Sequence, residues 1–393
     1  MNKEDLQALQ MGRVPVTDDL VEQLTMSGLW LEKMKEYCLK GVIQNGGCKV
    51  KILHGDHATG KSHYCNYLRI IAEREGFFVV MFDLEKIEFK LTDIVSFYKN
   101  IASAIDINLI KSAILNRMLN HLGYNQEAFD KHQGSLIDMI CEMESAPLYS
   151  AKQLVRKCIN EISKPMDIGF SFRLFLMRLM EALSESDHDL ADLLFKWLKG
   201  EKLNAIEKRQ CQIFENLNKS NARILLYSLT EFLKLAGYKG LVMMFDHFEC
   251  ILPEYQTQIK YTAAKRNDIY EMLRQLIDDL DFLNNFLLII SGLSDIVENE
   301  THGLQSYQAL WMRIQQSYKQ DFLVNPYADM TDAGLIMKQL VSEGKMKDLA
   351  NRIDELMSAC DFHILEKEDR VMNDLYDFRS VIVKHTQKYC PED

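Results

Sequence analysis

Eight consecutive residues, Gly55-Asp56-His57-Ala58-Thr59-Gly60-Lys61-Ser62, hold the densest chemistry in this 393-residue chain. They fit G-x-x-x-x-G-K-[ST], the pattern of a loop that wraps phosphate. Glycines let the backbone turn its N–H groups inward around phosphate oxygens, and a helix that starts at the loop adds partial positive charge. In that reading Lys61 reaches the β- and γ-phosphates of ATP, and Ser62 holds Mg2+. Magnesium binding also calls for an acid at the end of a neighbouring apolar strand. Asp246, which ends Gly240-Leu241-Val242-Met243-Met244-Phe245, is the best placed; Asp83, at the end of another apolar run, is the alternative.

Hydrolysis requires one more group, a base or a residue that positions water. Asp246 is followed by His247, with Glu249 two residues further on. His247 either orients the water or is only a polar residue at a strand end, and Glu249 is the second candidate. Ser291, at the end of Phe286–Ile290, either senses the γ-phosphate or caps the following turn. Arg313, on a helix with apolar neighbours, either reaches into an adjacent subunit's site or forms a surface ion pair. His54, His57 and His63 surround the loop, but as zinc ligands they would compete with phosphate for the same backbone.

The elements needed to place these groups are legible as periodicity. Val50–Leu53 reads as a strand feeding the loop and Tyr64–Glu75 as the helix leaving it, with Tyr64, Leu68 and Ile71 at helical spacing. Residues 77–84, 240–246 and 286–292 read as further buried strands, and 321–326 as a fifth. Strand, loop, helix, strand opens a parallel α/β sheet. Residues 1–48 form a helical segment, 49–330 the ATPase core, and 331–393 a C-terminal helical lid. Between the second and third strands the spacing turns helical, which gives an all-helical insertion at about residues 107–220.

Composition sets the class. The chain is 47% hydrophobic and 26% charged, the balance of a globular protein with a sizeable core. Its net charge of -11 argues against a protein that coats nucleic acid over its whole surface. The nine cysteines include no C-x-x-C pair, which points to a reducing compartment. There is no signal-type apolar run and no window long enough to span a membrane, so a cytoplasmic location is expected.

Several runs together resemble one family. They are Gly12-Arg13-Val14-Pro15, the loop 55–62 with Asp at its second position, Gly237–Leu241 before the strand acid, Arg266-Asn267 with Tyr270–Ile277, Ser291-Gly292, and Gln305–Tyr307 through Arg313. The chain resembles the BREX-type ATP-binding proteins, P-loop ATPases of bacterial phage-defence islands related to AAA+ and origin-recognition ATPases. The resemblance implies an α/β P-loop NTPase, AAA+-like, with ATP and Mg2+ as ligands. It also implies an oligomer acting with helicase, nuclease or methyltransferase partners, reaching DNA through them. By the same resemblance Asp246 is the strand acid, Ser291 the sensor, Arg313 the finger or sensor arginine, and Arg370 a candidate lid arginine. The family pattern after the strand is D-E-x-E, whereas this chain reads Asp246-His247-Phe248-Glu249. The implied function is an ATP-hydrolysing regulator or loader; the alternative is a nucleotide-gated switch with little or no turnover.

Overall fold

The computed structural model describes residues 2–86, 91–132, 134–256, 260–279, 283–315, 324–359, 362–364, 378–387 and 389–391. The chain divides into two units, one made of residues 1–87 and 241–393 and the other of residues 88–240.

The first unit begins with α1 (Lys3–Gln10), α2 (Asp18–Leu24) and α3 (Leu29–Lys33), which continues as a π-helix to Ile43. Asn2 caps α1 by accepting from the Asp5 N–H. Next come β1 (Cys48–Gly55), α4 (Lys61–Arg74) and β2 (Phe78–Asp83), so the phosphate-loop motif lies between strand and helix as expected.

Among its described residues, the regular elements of the second unit are all helices. It runs through α5 (Ile94–Ser103), α6 (Ile107–Leu122), α7 (Gln126–Lys131), α8 (Leu136–Met143), α9 (Leu148–Ser163), α10 (Phe170–Glu185), α11 (His188–Leu198), α12 (Ala205–Cys211) and α13 (Ala222–Leu235). The apolar stripe of α10 supplies Phe172 and Phe175 to an aromatic core with Trp197 and Phe232. Phe175 stacks on Trp197 at 5.4 Å and meets Phe232 edge-on at 5.4 Å.

The chain returns to the first unit with β3 (Leu241–Asp246), α14 (Ala263–Asp278), β4 (Phe286–Leu293), the short α15 (Asp295–Glu298), α16 (Gln308–Ile314) and β5 (Met330–Asp332). Then follow α17 (Ala333–Ser342), α18 (Lys345–Ser358), β6 (Phe362–Ile364), α19 (Phe378–Thr386) and β7 (Tyr389–Pro391), with β6 and β7 paired antiparallel. The main sheet is parallel in the order β2-β3-β4-β1-β5. Buried strands without alternation, such as Leu241–Asp246 with every residue buried, are what a parallel sheet covered on both faces requires. One core joins Leu6 and Leu9 of α1, Tyr64 and Leu68 of α4, Val242 and Met244 of β3, and Leu349 and Ile353 of α18. This is a P-loop, AAA+-like α/β fold with large helical content.

The fifth strand departs from expectation. Residues 321–323 of the expected strand lie outside the described residues, and 324–326 are not in a strand. The strand beside β1 is Met330–Asp332, with Ile52 opposite Met330 and His54 opposite Asp332. The apolar run Phe322-Leu323-Val324 drew the expectation upstream of the residues that pair.

Candidate functional site

The site lies where the parallel strands end, the edge at which ligands bind in open α/β sheets. Register sets its layout. Gly55 at the end of β1 is opposite Leu293 of β4, and Asp246 at the end of β3 is opposite Asp83 of β2. Between β1 and α4 the loop turns through positive φ at Gly55 (156°), Ala58 (68°) and Gly60 (83°). Gly60 enters α4 in the left-handed region that glycine adopts without strain. The helix N-terminus thus opens onto the loop, as anion binding demands.

Lys61 is buried, and its Nζ donates to the carbonyls of Gly55 (3.0 Å) and Asp56 (2.7 Å). Burial lowers the pKa of its ammonium, opposed by the charges of Glu249, Asp246 and Asp56. Thr59 Oγ1 donates to the Asp56 carbonyl at 2.9 Å and closes the loop. Lys61, Ser62, His57, Ala58 and Gly60 share one cavity with Asp246, His247 and Glu249. These groups fit a polyphosphate: inward-turned backbone at a helix N-terminus, a lysine within the loop, and a cavity in front of both. Magnesium fits too, since the Ser62 hydroxyl and the buried Asp246 carboxylate are hard oxygen donors, and this ion takes few protein ligands.

The residue at the usual glutamate position is tied up. His247 adopts a left-handed conformation (φ 54°), with its N–H donating to Asp246 Oδ1 at 3.0 Å. Its Nδ1 pairs with Asp83 Oδ1 at 2.9 Å, and its Nε2 lies 3.3 Å from Ser62 Oγ. Burial draws the imidazole pKa down. The Asp83 hydrogen bond and the charges of Asp246 and Glu85 outweigh that and raise it to about 9. Burial raises the Asp83 carboxyl, but hydrogen bonds from His247 and Lys86 hold it well below the usual carboxylate range. His247 is therefore a cation at neutral pH, donating from both ring nitrogens. Glu249, also buried, accepts from the Leu293 N–H at 3.0 Å. A Cβ at Gly292 would meet Glu249 Oε2 at 2.9 Å, so glycine there leaves room for the carboxylate.

Two sequence candidates are placed elsewhere. Ser291 is fully buried close to the Cys65 thiol and does not line the cavity. The sheet continues past it to Leu293, so the serine is inside the sheet, not at its tip. Arg313 lines a separate hollow with Cys48 and Lys49, at the start of β1 and hence the opposite end of that strand from the loop. Its guanidinium pairs with Asp278, the surface ion pair that was the plainer reading. Arg370 lies outside the described residues.

The three loop histidines diverge. His63 faces α2, bonded to Thr25 Oγ1 at 2.8 Å, and burial lowers its pKa to about 3. Burial also lowers the pKa of His54, against the pull of Asp332. Among the described residues, the metal-ligand cluster is Asp83, Glu85 and His247, which includes none of the three.

The structure adds residues that local sequence did not assign to the site. Gly12, Arg13 and Val14 line the cavity, as do Phe378, Arg379 and Ile382 of α19. Arg13 and Arg379 are both exposed, and Arg379 Nη2 donates to the Met11 carbonyl at 3.1 Å. The resemblance had marked the Gly12–Pro15 run without giving it a role. Gly12 has φ 65°, and a Cβ there would sit 2.3 Å from Arg379 Nε. Gly12→Ala is expected to displace Arg379 and to cost about 1 kcal/mol for the left-handed backbone. Calorimetric titration should then show ATP affinity lowered about 5-fold or more.

A profile of the family described as BREX system ATP-binding protein BrxC/D matches residues 3–388. No curated protein and no solved structure matches the chain significantly. With almost its whole length covered, the chain belongs to the BrxC/D family of BREX system ATP-binding proteins.

Proposed function

We propose that this ATP-binding protein hydrolyses ATP and acts as a regulator or loader for DNA-processing partners of its defence system, a helicase, nuclease or methyltransferase. One observation carries this reading: Glu249 shares the cavity of Lys61 and Ser62 although the neighbouring glutamate is replaced by His247. In this reading Lys61 and the loop N–H groups hold the phosphates. Magnesium, held by Ser62 and Asp246, supplies charge neutralisation at the phosphate oxygens. His247, already protonated, is unable to accept a proton from water, so it orders Ser62 and Asp83 instead. Glu249 is the remaining carboxylate that can position the water, while its bond to the Leu293 N–H fixes its direction. The protein works in the cytoplasm as an oligomer. Among the described residues no helix is long and apolar enough to cross a membrane.

The engaged state of Glu249 also favours a second reading, a nucleotide-gated switch that binds ATP and turns over little. Phosphate release separates the two. Glu249→Gln is expected to lower turnover by about 100-fold with ATP affinity kept. If wild-type protein binds ATP but releases phosphate no faster than Lys61→Ala, the switch replaces the ATPase.

A further inference from the structure

The net charge of -11 is unevenly distributed. It is carried by the first unit, while residues 88–240 are close to charge-balanced. Within that second unit, α9 is amphipathic in an unusual way. Ala151, Val155, Cys158, Ile159 and Ile162 are buried, and the opposite face presents Gln153, Arg156, Lys157, Asn160 and Lys164 to solvent. That face lines an open groove, whose one acid, Glu161, is already bonded by His121 Nε2 at 2.8 Å and lies 3.9 Å from Lys157 Nζ. Arg156 and Lys164 form no ion pair among the described residues. Arg117 of α6, one turn before His121, is likewise exposed without one.

An acidic protein segment would normally anchor an apolar side chain in a pocket, but Leu154 is the one apolar residue lining this groove. Its remaining lining is hydroxyl and amide, namely Ser150, Gln153 and Asn160. Together with Arg and Lys, these are the donors that contact phosphate and sugar in nucleic acid. No aromatic ring lines the groove itself, and the exposed Tyr149 beside it, whose hydroxyl accepts from Gln153 Nε2 at 2.6 Å, is a single ring where a single strand needs successive stacking platforms. The face from Gln153 to Lys164 extends about 16 Å along the helix, enough to follow several phosphates of a duplex, which carries one charge per about 1.7 Å of axis.

We infer that the exposed face of α9 binds the phosphate backbone of duplex DNA without sequence preference. The chain would then touch DNA through its second unit as well as through partners, and this contact does not depend on whether ATP is turned over. Three phosphate contacts imply a log K against log salt slope of about -2.7, or about 40-fold weaker binding between about 50 and 200 mM salt.

The test is anisotropy of a labelled random-sequence duplex with the full chain. Arg156→Glu/Lys157→Glu/Lys164→Glu is expected to weaken binding at least about tenfold at low salt and to flatten the salt slope. Lys202→Glu/Arg209→Glu/Lys219→Glu, with the same change in net charge elsewhere in the unit, is expected to leave most of the affinity. The alanine version of the α9 triple should reproduce the flattened slope, and circular dichroism should match wild type for every variant. Equal losses in the two charge-reversal triples, or no wild-type binding at low salt, would overturn the proposal. So would binding to duplex RNA or polyglutamate that is as tight as to DNA.

Discussion

Lys61→Ala is expected to weaken ATP binding by about two orders of magnitude and to abolish phosphate release. The ammonium lies inside the loop, where burial already disfavours its charge. It stays there because two carbonyls and three nearby carboxylates, Glu249, Asp246 and Asp56, hold it. Polyphosphate entering the cavity would take over those interactions with charge-assisted hydrogen bonds, each worth about 1.5–3 kcal/mol. Alanine removes them and leaves Asp246 and Glu249 facing the phosphates without the intervening cation. Calorimetric titration with ATP checks the affinity, and a coupled phosphate assay checks the turnover. Undiminished affinity would mean that the loop is not the nucleotide site. A thermal melt of the ligand-free variant separates that loss from unfolding, since the carbonyls of Gly55 and Asp56 also lose one donor each.

What could be read from the sequence follows from how local each feature is. The loop and its flanking elements are fixed by residues within a few positions of one another, so strand, turn and helix were recoverable from Val50 to Glu75. Strands β3 and β4 announced themselves as apolar runs because a central parallel strand is buried on both faces, and β2 did so although, at the edge of the sheet, it buries only alternate residues. The pairing of His247 with Asp83 was invisible, because it depends on β2 and β3 lying side by side in a register that sets Asp83 opposite Asp246 across 163 residues. Ser291 was misplaced for a related reason: one strand does not reveal that its neighbour β1 extends the sheet two residues past the serine. Arg313 was found on its helix, but periodicity says nothing about the end of the sheet at which that helix lies. The approach of Arg379 to Met11 joins the two ends of the chain, and no local signal encodes it.

The same pairing that hid His247 makes it the most informative position to change. His247→Glu restores the acidic residue that follows the strand acid in the family pattern, yet alone it is expected to give little. It would set a third carboxylate beside Asp83 and Asp246, and like charges at that distance raise one another's pKa. It also asks glutamate to take the left-handed backbone that His247 holds at φ 54°, at a cost of about 1–2 kcal/mol. Adding Asp83→Asn removes one charge and leaves an amide that can donate to the new carboxylate. His247→Glu/Asp83→Asn is therefore expected to raise single-turnover phosphate release at saturating ATP by about tenfold or more, toward the 10²–10⁴ range of a well-placed general base. Its decisive partner is Glu249→Gln. If Glu249 positions the water in the natural protein, Glu249→Gln silences the wild-type background but only partly slows the double variant, because a second carboxylate then faces the same cavity. If Glu249→Gln leaves wild-type turnover unchanged, Glu249 is only a brace for the Leu293 N–H, and the histidine cation has left this site without any base of its own.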